Sequence, residues 1–170
     1  GVNSIEHGFF LDDEAIELML EMKAYLVPTL NAPYQIIRGG VKRGVPRYAV
    51  EKSKAVMKSH FQSVRRAHKS KIPIAMGTDA GTPFNCHGEN LKEMELLVKT
   101  GLTPMEAIVA TTLTAAKVLH LEKKIGTLEK GKVADLIVVD GNPLKDIGLL
   151  QKKDKILAIM KEGQFYKCQL

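Results

Sequence analysis

Two short stretches carry residue types that could do chemistry: Ile5-Glu6-His7-Gly8 and Ile74-Ala75-Met76-Gly77-Thr78-Asp79-Ala80-Gly81. Each is a run that ends in a ligating type of side chain framed by glycine. Imidazole nitrogen and carboxylate oxygen both bind zinc-like divalent ions. A carboxylate beside an activated water can also take its proton. Each residue has an ordinary reading as well. A histidine after a strand can be hydrogen-bonded for structure alone, and an aspartate before glycine can simply make a turn.

What would bring them together is strand–helix alternation. Residues 2–6 read as a short strand. Asp12 and Asp13 then offer N-caps to a helix marked by Ile16, Met19, Leu20 and Lys23. Residues 25–30 read as a second strand with Pro28 near its end, and residues 31–46, rich in Gly and Pro, as a long loop. A long helix over 47–70 follows, with Val50, Met57, Phe61, Val64 and His68 as its inner stripe. Residues 72–77 read as the third strand. In parallel β/α architectures functional groups collect at the carboxyl ends of the strands. That rule delivers His7 and Asp79 to one edge of one sheet.

Leu91, Met94, Leu97 and Val98 mark another helix, stopped by Gly101. Thr103-Pro104-Met105-Glu106 is a capping box with proline at the first helical position, opening a helix that runs to about residue 119. After Glu122 the pattern changes. Gly126, Gly131, Gly141 and Pro143 punctuate strands at 134–139, 156–160 and 164–167, a small β unit. The expected division is 1–122 and 123–170.

The 170 residues suffice for one domain with a real core, and 45% hydrophobic with 26% charged residues is ordinary globular composition. No apolar run is long enough to span a bilayer, and no leader pattern is seen. The chain opens on Gly1-Val2-Asn3 without Met, as if cut from something longer. Cys86 and Cys168 form no CxxC pair and no disulfide framework, which makes a cytoplasmic setting the default. Much of the net charge of +6 sits between Lys42 and Lys71, where Glu51 is the only acid. Such a segment could touch an anionic partner or simply be a solvated helix face. No aromatic stacking set is interleaved with its basic residues, which argues against nucleic acid.

The motifs IEHG, GTDAGTP and His87-Gly88, then GLTPMEA (101–107), TTLTAA (111–116), IGTLEKGKVADL (125–136) and GNPL (141–144), cover nearly the whole chain in order. The series resembles the amidohydrolase superfamily, close to its imidazolonepropionase-like branch with prolidase-type dipeptidases and cyclic-amide hydrolases. The resemblance implies an α/β fold: the part of a TIM-type (β/α)8 barrel holding strands six to eight, plus part of a small β-sandwich. It implies a metal-dependent hydrolase of C–N bonds, with zinc as the expected metal, in one or two ions. His7 matches the histidine after strand six, a metal ligand in binuclear members. Asp79 matches the aspartate after strand eight, which touches the metal and shuttles the proton of the attacking water.

Other candidates are more open. His87 could orient substrate or be a surface histidine. Tyr34 and Arg38 could meet a substrate carboxylate, such as that of a dipeptide, or be ordinary loop residues. Cys86 lacks an orienting third group for a thiol nucleophile. His60 and His68 read as structural, and His120 as a residue at a helix C-terminus.

The departures from the family are large. The HxH pair after strand one, the lysine after strand four and the histidine after strand five are all missing. The chain alone is therefore expected to bind metal weakly and to be inactive, its partner being the missing N-terminal half of the same protein. Three parallel strands cut from a barrel leave an open edge, so the isolated chain is expected to oligomerise or rearrange. Two further readings stand beside this one. The chain could be a noncatalytic interaction or ligand-binding module using the basic 42–71 segment, or a separate subunit could complete the site.

Overall fold

The alternation read from the sequence holds at the start of the chain, as β1 (Ser4–Glu6), α1 (Asp13–Glu21) and β2 (Tyr25–Val27) in a computed structural model that describes all 170 residues. Asp12 caps α1 by accepting the Ala15 N–H at 2.8 Å, and Ile16 and Met19 turn inward at i, i+3 spacing. β2 is the middle of a small parallel sheet. It pairs with β1 in the register Glu6↔Val27, and on its other side Leu26 bridges Ile74.

Both expected strands are shorter than their apolar runs. β2 stops at Val27 because Pro28 has no N–H to give and Thr29 turns to φ 55°. The 72–77 segment joins the sheet only around Ile74, where Leu26 N–H reaches the Pro73 carbonyl and Ala75 N–H the Leu26 carbonyl. One step on, Met76 N–H donates to the Ala110 carbonyl at 2.9 Å instead. At that carbonyl the expected single helix changes form. It runs as α5 (Pro104–Val109), a π-helical turn (Ala110–Thr114) and α6 (Ala115–Val118). Its capping box is formed as expected, with Thr103 and Glu106 bonding each other's backbone N–H.

The long loop expected over 31–46 is a correction. Asn31–Gly39 is a helix, α2, followed by a 3-10 turn at Val41–Arg43. Pro33 falls in the first turn, where a missing N–H costs nothing. The N-terminus is capped from far away, by the side chain of Glu93. Local sequence carries no trace of that cap. α3 (Arg47–Lys69) and α4 (Lys92–Thr100) follow, the latter closed by Gly101 at φ 118°. The inner face of α3 is more polar than its apolar stripe suggests, with Ser53, His60 and Ser63 buried beside Val50, Val64 and Ala67. Lys52, Lys54 and Lys58 stand exposed on the outer face, while Arg65 donates to the Thr100 and Lys99 carbonyls and Arg66 to the Leu11 carbonyl.

The C-terminal strands β3 (Leu136–Val139), β4 (Ile156–Lys161) and β5 (Gln164–Cys168) form an antiparallel sheet in the order β3-β4-β5. Gly126 brings this part of the chain against the π turn. A Cβ there would lie 2.8 Å from Ala116 Cβ and 3.1 Å from the Thr112 carbonyl, and φ is 97°. Ile147 and Leu150 share one buried cluster with Leu26, Leu30, Leu96 and Leu97.

β1 is an edge strand, and the apolar surface beside it is open. Val2, Leu18 and Met22 are 62%, 56% and 51% exposed and, with Gly1, Ile5 and Ala24, line one shallow groove. No helix is long and apolar enough to cross a membrane. Leu26 is fully buried at the centre of the sheet, so Leu26→Ala should cost the chain about 2–5 kcal/mol. Leu18→Ala, on the open surface, should cost within about 0.5 kcal/mol. Paired chemical-denaturation curves check the contrast.

Candidate functional site

Three successive chain turns leave the carboxyl edge of the parallel sheet, and each turns through a left-handed residue that is not glycine. His7 follows β1 at φ 68°, Thr29 follows β2 at φ 55°, and Asp79 follows the 72–77 segment at φ 51°. Aspartate tolerates this region, but a β-branched threonine in it is a strained outlier. Tertiary contacts hold the turns in place.

His7 is the most constrained. Its N–H donates to the Val27 carbonyl at 2.9 Å, and its carbonyl accepts from His60 Nε2 at 2.8 Å. Its ring Nδ1 meets Thr29 Oγ1 at 2.6 Å. That contact spends one ring nitrogen and leaves Nε2 as the nitrogen free to bind a ligand. Phe9 packs on His60, with ring centroids 4.2 Å apart. Burial pushes the His60 pKa down to about 4, and the carbonyls of His7 and Pro28 pull the other way without offsetting it. Neutral His60 must therefore carry its proton on Nε2 to donate to His7, which leaves its buried Nδ1 without a partner of hydrogen-bonding geometry.

Asp79 is held differently. Its side chain is exposed, and the chain grips its backbone. The Asp79 carbonyl accepts from Asn85 Nδ2 at 3.0 Å and from Thr82 Oγ1 at 3.1 Å. The same Asn85 amide also donates to the Thr78 carbonyl. His7 follows β1 and Asp79 follows the segment that bridges β2 at Ile74, so the two leave the sheet from opposite sides of β2 at its carboxyl end.

The other sequence candidates, His60 apart, make no hydrogen bond to these two. Tyr34 and Arg38 lie on α2 four residues apart, so they share a face. Tyr34 packs against the core with Lys92 Nζ 5.4 Å from its ring, and Arg38 is exposed in the last turn. His87 and Cys86 stand exposed in the turn before α4. His68 pairs with Glu106 at 3.2 Å, away from the strand ends.

Glu93 is the residue that sequence reasoning missed. It is fully buried, its Oε1 accepting the Leu30 N–H at 2.9 Å and its Oε2 the Asn31 N–H at 2.6 Å. Asn31, itself buried, donates through Nδ2 to Asn85 Oδ1 at 2.6 Å and accepts from Gln35 Nε2 at 3.2 Å. A signal did exist in the sequence. Glu93 stands four residues before Leu97 and seven before Thr100, on the buried stripe of α4. Burial pushes its pKa up to about 8, against the two N–H groups that favour its ionised form.

In chemical type, His7 and Asp79 suit a divalent cation of the zinc kind. In number they fall short, since no three His, Cys, Asp or Glu side chains converge in this chain. The sequence pattern of the amidohydrolase family matches residues 1–165. Ochratoxinase from Aspergillus niger is 31% identical over 169 residues, which are 98% of this chain and 34% of that protein. Imidazolonepropionase from Thermoplasma volcanium is 37% identical over 79 residues, 46% of this chain and 19% of that one. Among solved structures, a Xaa-Pro dipeptidase with methionine bound in its active site superposes with a TM-score of 0.87 at 38% identity, over 98% of this chain and 40% of its own. The chain thus spans well under half the length of these proteins.

Glu93 also sets a pH dependence. The folded chain holds this proton up to about pH 8, whereas an ordinary glutamate releases it near 4.5. Between those values the folded state binds more protons, so stability falls as pH rises through the window. The slope is at most about 1.4 kcal/mol per pH unit. Glu95, beside Lys92 and Lys99, and Glu106, beside the Thr103 N–H, are pushed down to about 2, so their contribution is present above 4.5 and lost below it. Unfolding of the chain measured from pH 5 to 8 should show the decline, and Glu93→Gln should flatten it.

Proposed function

The chain belongs to the amidohydrolase family, and on that premise we propose that it is part of a longer metal-dependent hydrolase that cleaves a C–N bond in an amide, dipeptide or cyclic amide. The observation that carries this is the shared sheet edge. A histidine with one ring nitrogen already spent and an exposed carboxylate leave it through adjacent strained turns. Strain of this kind gathers at sites where geometry matters more than stability. In parallel β/α folds the carboxyl edge is where such sites form.

A bound divalent cation, with zinc the best match to these donors, would supply the Lewis acidity that polarises the scissile carbonyl and acidifies water. His7 and Asp79 are the residues of this chain that would hold it, His7 through Nε2. The Thr29 hydroxyl fixes the His7 ring, so that nitrogen needs no reorientation. Asp79 takes the proton of the attacking water and returns it to the leaving nitrogen. Tyr34, Arg38 and His87 are proposed substrate contacts. Of these, Arg38 and His87 are exposed, and Arg38 is the cation suited to a substrate carboxylate.

The remaining ligands must come from the rest of the polypeptide, as must the cover for the β1 edge. In this reading the residues up to about 122 contribute barrel strands six to eight, and the residues after them contribute part of a β-sandwich. The open apolar groove at Val2, Leu18 and Met22 lies beside Gly1, where a preceding segment would pack. The isolated chain should accordingly bind zinc only weakly in a calorimetric titration and turn over no substrate. Tight stoichiometric binding to it would contradict the proposal.

The full-length polypeptide should hydrolyse members of a dipeptide and cyclic-amide panel and lose that activity on chelation. Asp79→Asn should lower its kcat by about 10²–10⁴ with the fold retained. His7→Ala should weaken metal binding by about tenfold or more.

A further inference from the structure

Resting on the role proposed above for Asp79, we infer that Asn85 and Glu93 are positioning residues for it, linked through Asn31 into one buried hydrogen-bonded relay. The relay starts at α4, where the Glu93 carboxylate takes the N–H groups of Leu30 and Asn31. That fixes the first residue of α2 and with it the Asn31 side chain, which is completely buried. Asn31 Nδ2 donates to Asn85 Oδ1, so the Asn85 amide can point only one way. Its Nδ2 then faces the carbonyls of both Thr78 and Asp79, with Thr82 Oγ1 also in reach at 3.2 Å. One amide thus clamps the two carbonyls on either side of the peptide that carries Asp79 into its left-handed turn.

Each member fixes the next, and the remaining Asn31 side-chain oxygen is held from outside the series by Gln35 Nε2 at 3.2 Å. Without the Asn31 donor, Asn85 could flip and present oxygen to two carbonyl oxygens. Asn90 adds a second tie, donating to Thr78 Oγ1 at 2.6 Å. The exposed Asp79 carboxylate is therefore aimed by its backbone and not by contacts of its own. Glu93 never approaches the reacting atoms, so its effect should pass through geometry.

The test uses the full-length polypeptide with zinc, comparing Asn85→Ala, Glu93→Gln, their double variant and Asp79→Asn. Asn85→Ala should lower kcat ten- to a hundredfold with KM within threefold, which is the pattern for an outer partner of a metal-site residue. In the metal-free protein, hydrogen exchange should quicken over residues 78–85 and not across the sheet. Glu93→Gln keeps one of the two N–H bonds and should give a smaller loss of the same kind. The double variant should lose no more than Asn85→Ala alone, because both act on one relay. An unchanged kcat, additive losses, or a fall in melting temperature with native kcat and native local exchange would overturn the relay. If Asn85→Ala does not fold, Glu93→Gln decides alone by the same kcat and exchange criteria. Full activity in Asp79→Asn would instead refute the catalytic assignment, and the exchange data would still judge the clamp.

Discussion

The first N–H groups of a helix have no partner inside the helix, and at α2 a single buried carboxylate supplies two of them. Much of the local structure depends on that contact. Without it, Asn31–Gly39 has no side-chain cap of its own and two glycines at its end, a weak basis for a helix. With it, α2 is fastened to α4, and Leu30 is sealed in the core. The cost is a carboxylate taken fully out of water. The Leu30 and Asn31 N–H groups favour its ionised form, but burial outweighs them and pushes its pKa up to about 8. A helix of nine residues thus depends on an ionisable group 62 residues away in sequence.

Strain at the sheet edge is a second cost the structure carries. A non-glycine residue in the left-handed region costs of order 1–3 kcal/mol, and His7, Thr29 and Asp79 all carry such a turn. Each is bound in place by a contact from a different element: His60 on α3 for His7, the His7 ring for Thr29, and Asn85 for Asp79. His60 is itself left with an unsatisfied nitrogen to make its contact. Polar groups that cost stability in the core thus surround the one edge where side chains point outward. That pattern is hard to account for by packing alone.

What the sequence disclosed and what it concealed divide along the same physical line. The Asp12 cap, the capping box at Thr103, the Gly101 stop and the three C-terminal strands are local devices, encoded within a few residues, and they form where the spacing predicts. His7 and Asp79 could be seen because each follows a predicted strand. α2 could not, because its cap arrives from Glu93, nor could the early end of β2, because Thr29 is turned by a bond to His7. The single helix expected from Thr103 onward becomes an interrupted one because Met76 claims the Ala110 carbonyl. In α2 and in the interrupted helix a tertiary hydrogen bond overrode a local pattern, whereas at the end of β2 the missing Pro28 N–H acts as well.

The relation between the chain and its proposed site follows from how such sheets collect side chains. A site at the carboxyl edge of a parallel barrel draws one or two residues from each of several strand ends. A chain that supplies three such strand ends can fix its own share completely and still lack a full coordination set. The hydrogen bonds that hold His7 and Asp79 come from residues between 7 and 93, so they are complete within this chain. The chain's contribution is thus preorganised before the rest of the site is assembled. The open groove beside β1 is the complement of that statement, because under the proposal the sheet would continue from that edge. Completion would then require docking of an apolar face already shaped, with little rearrangement of the residues proposed to hold the metal.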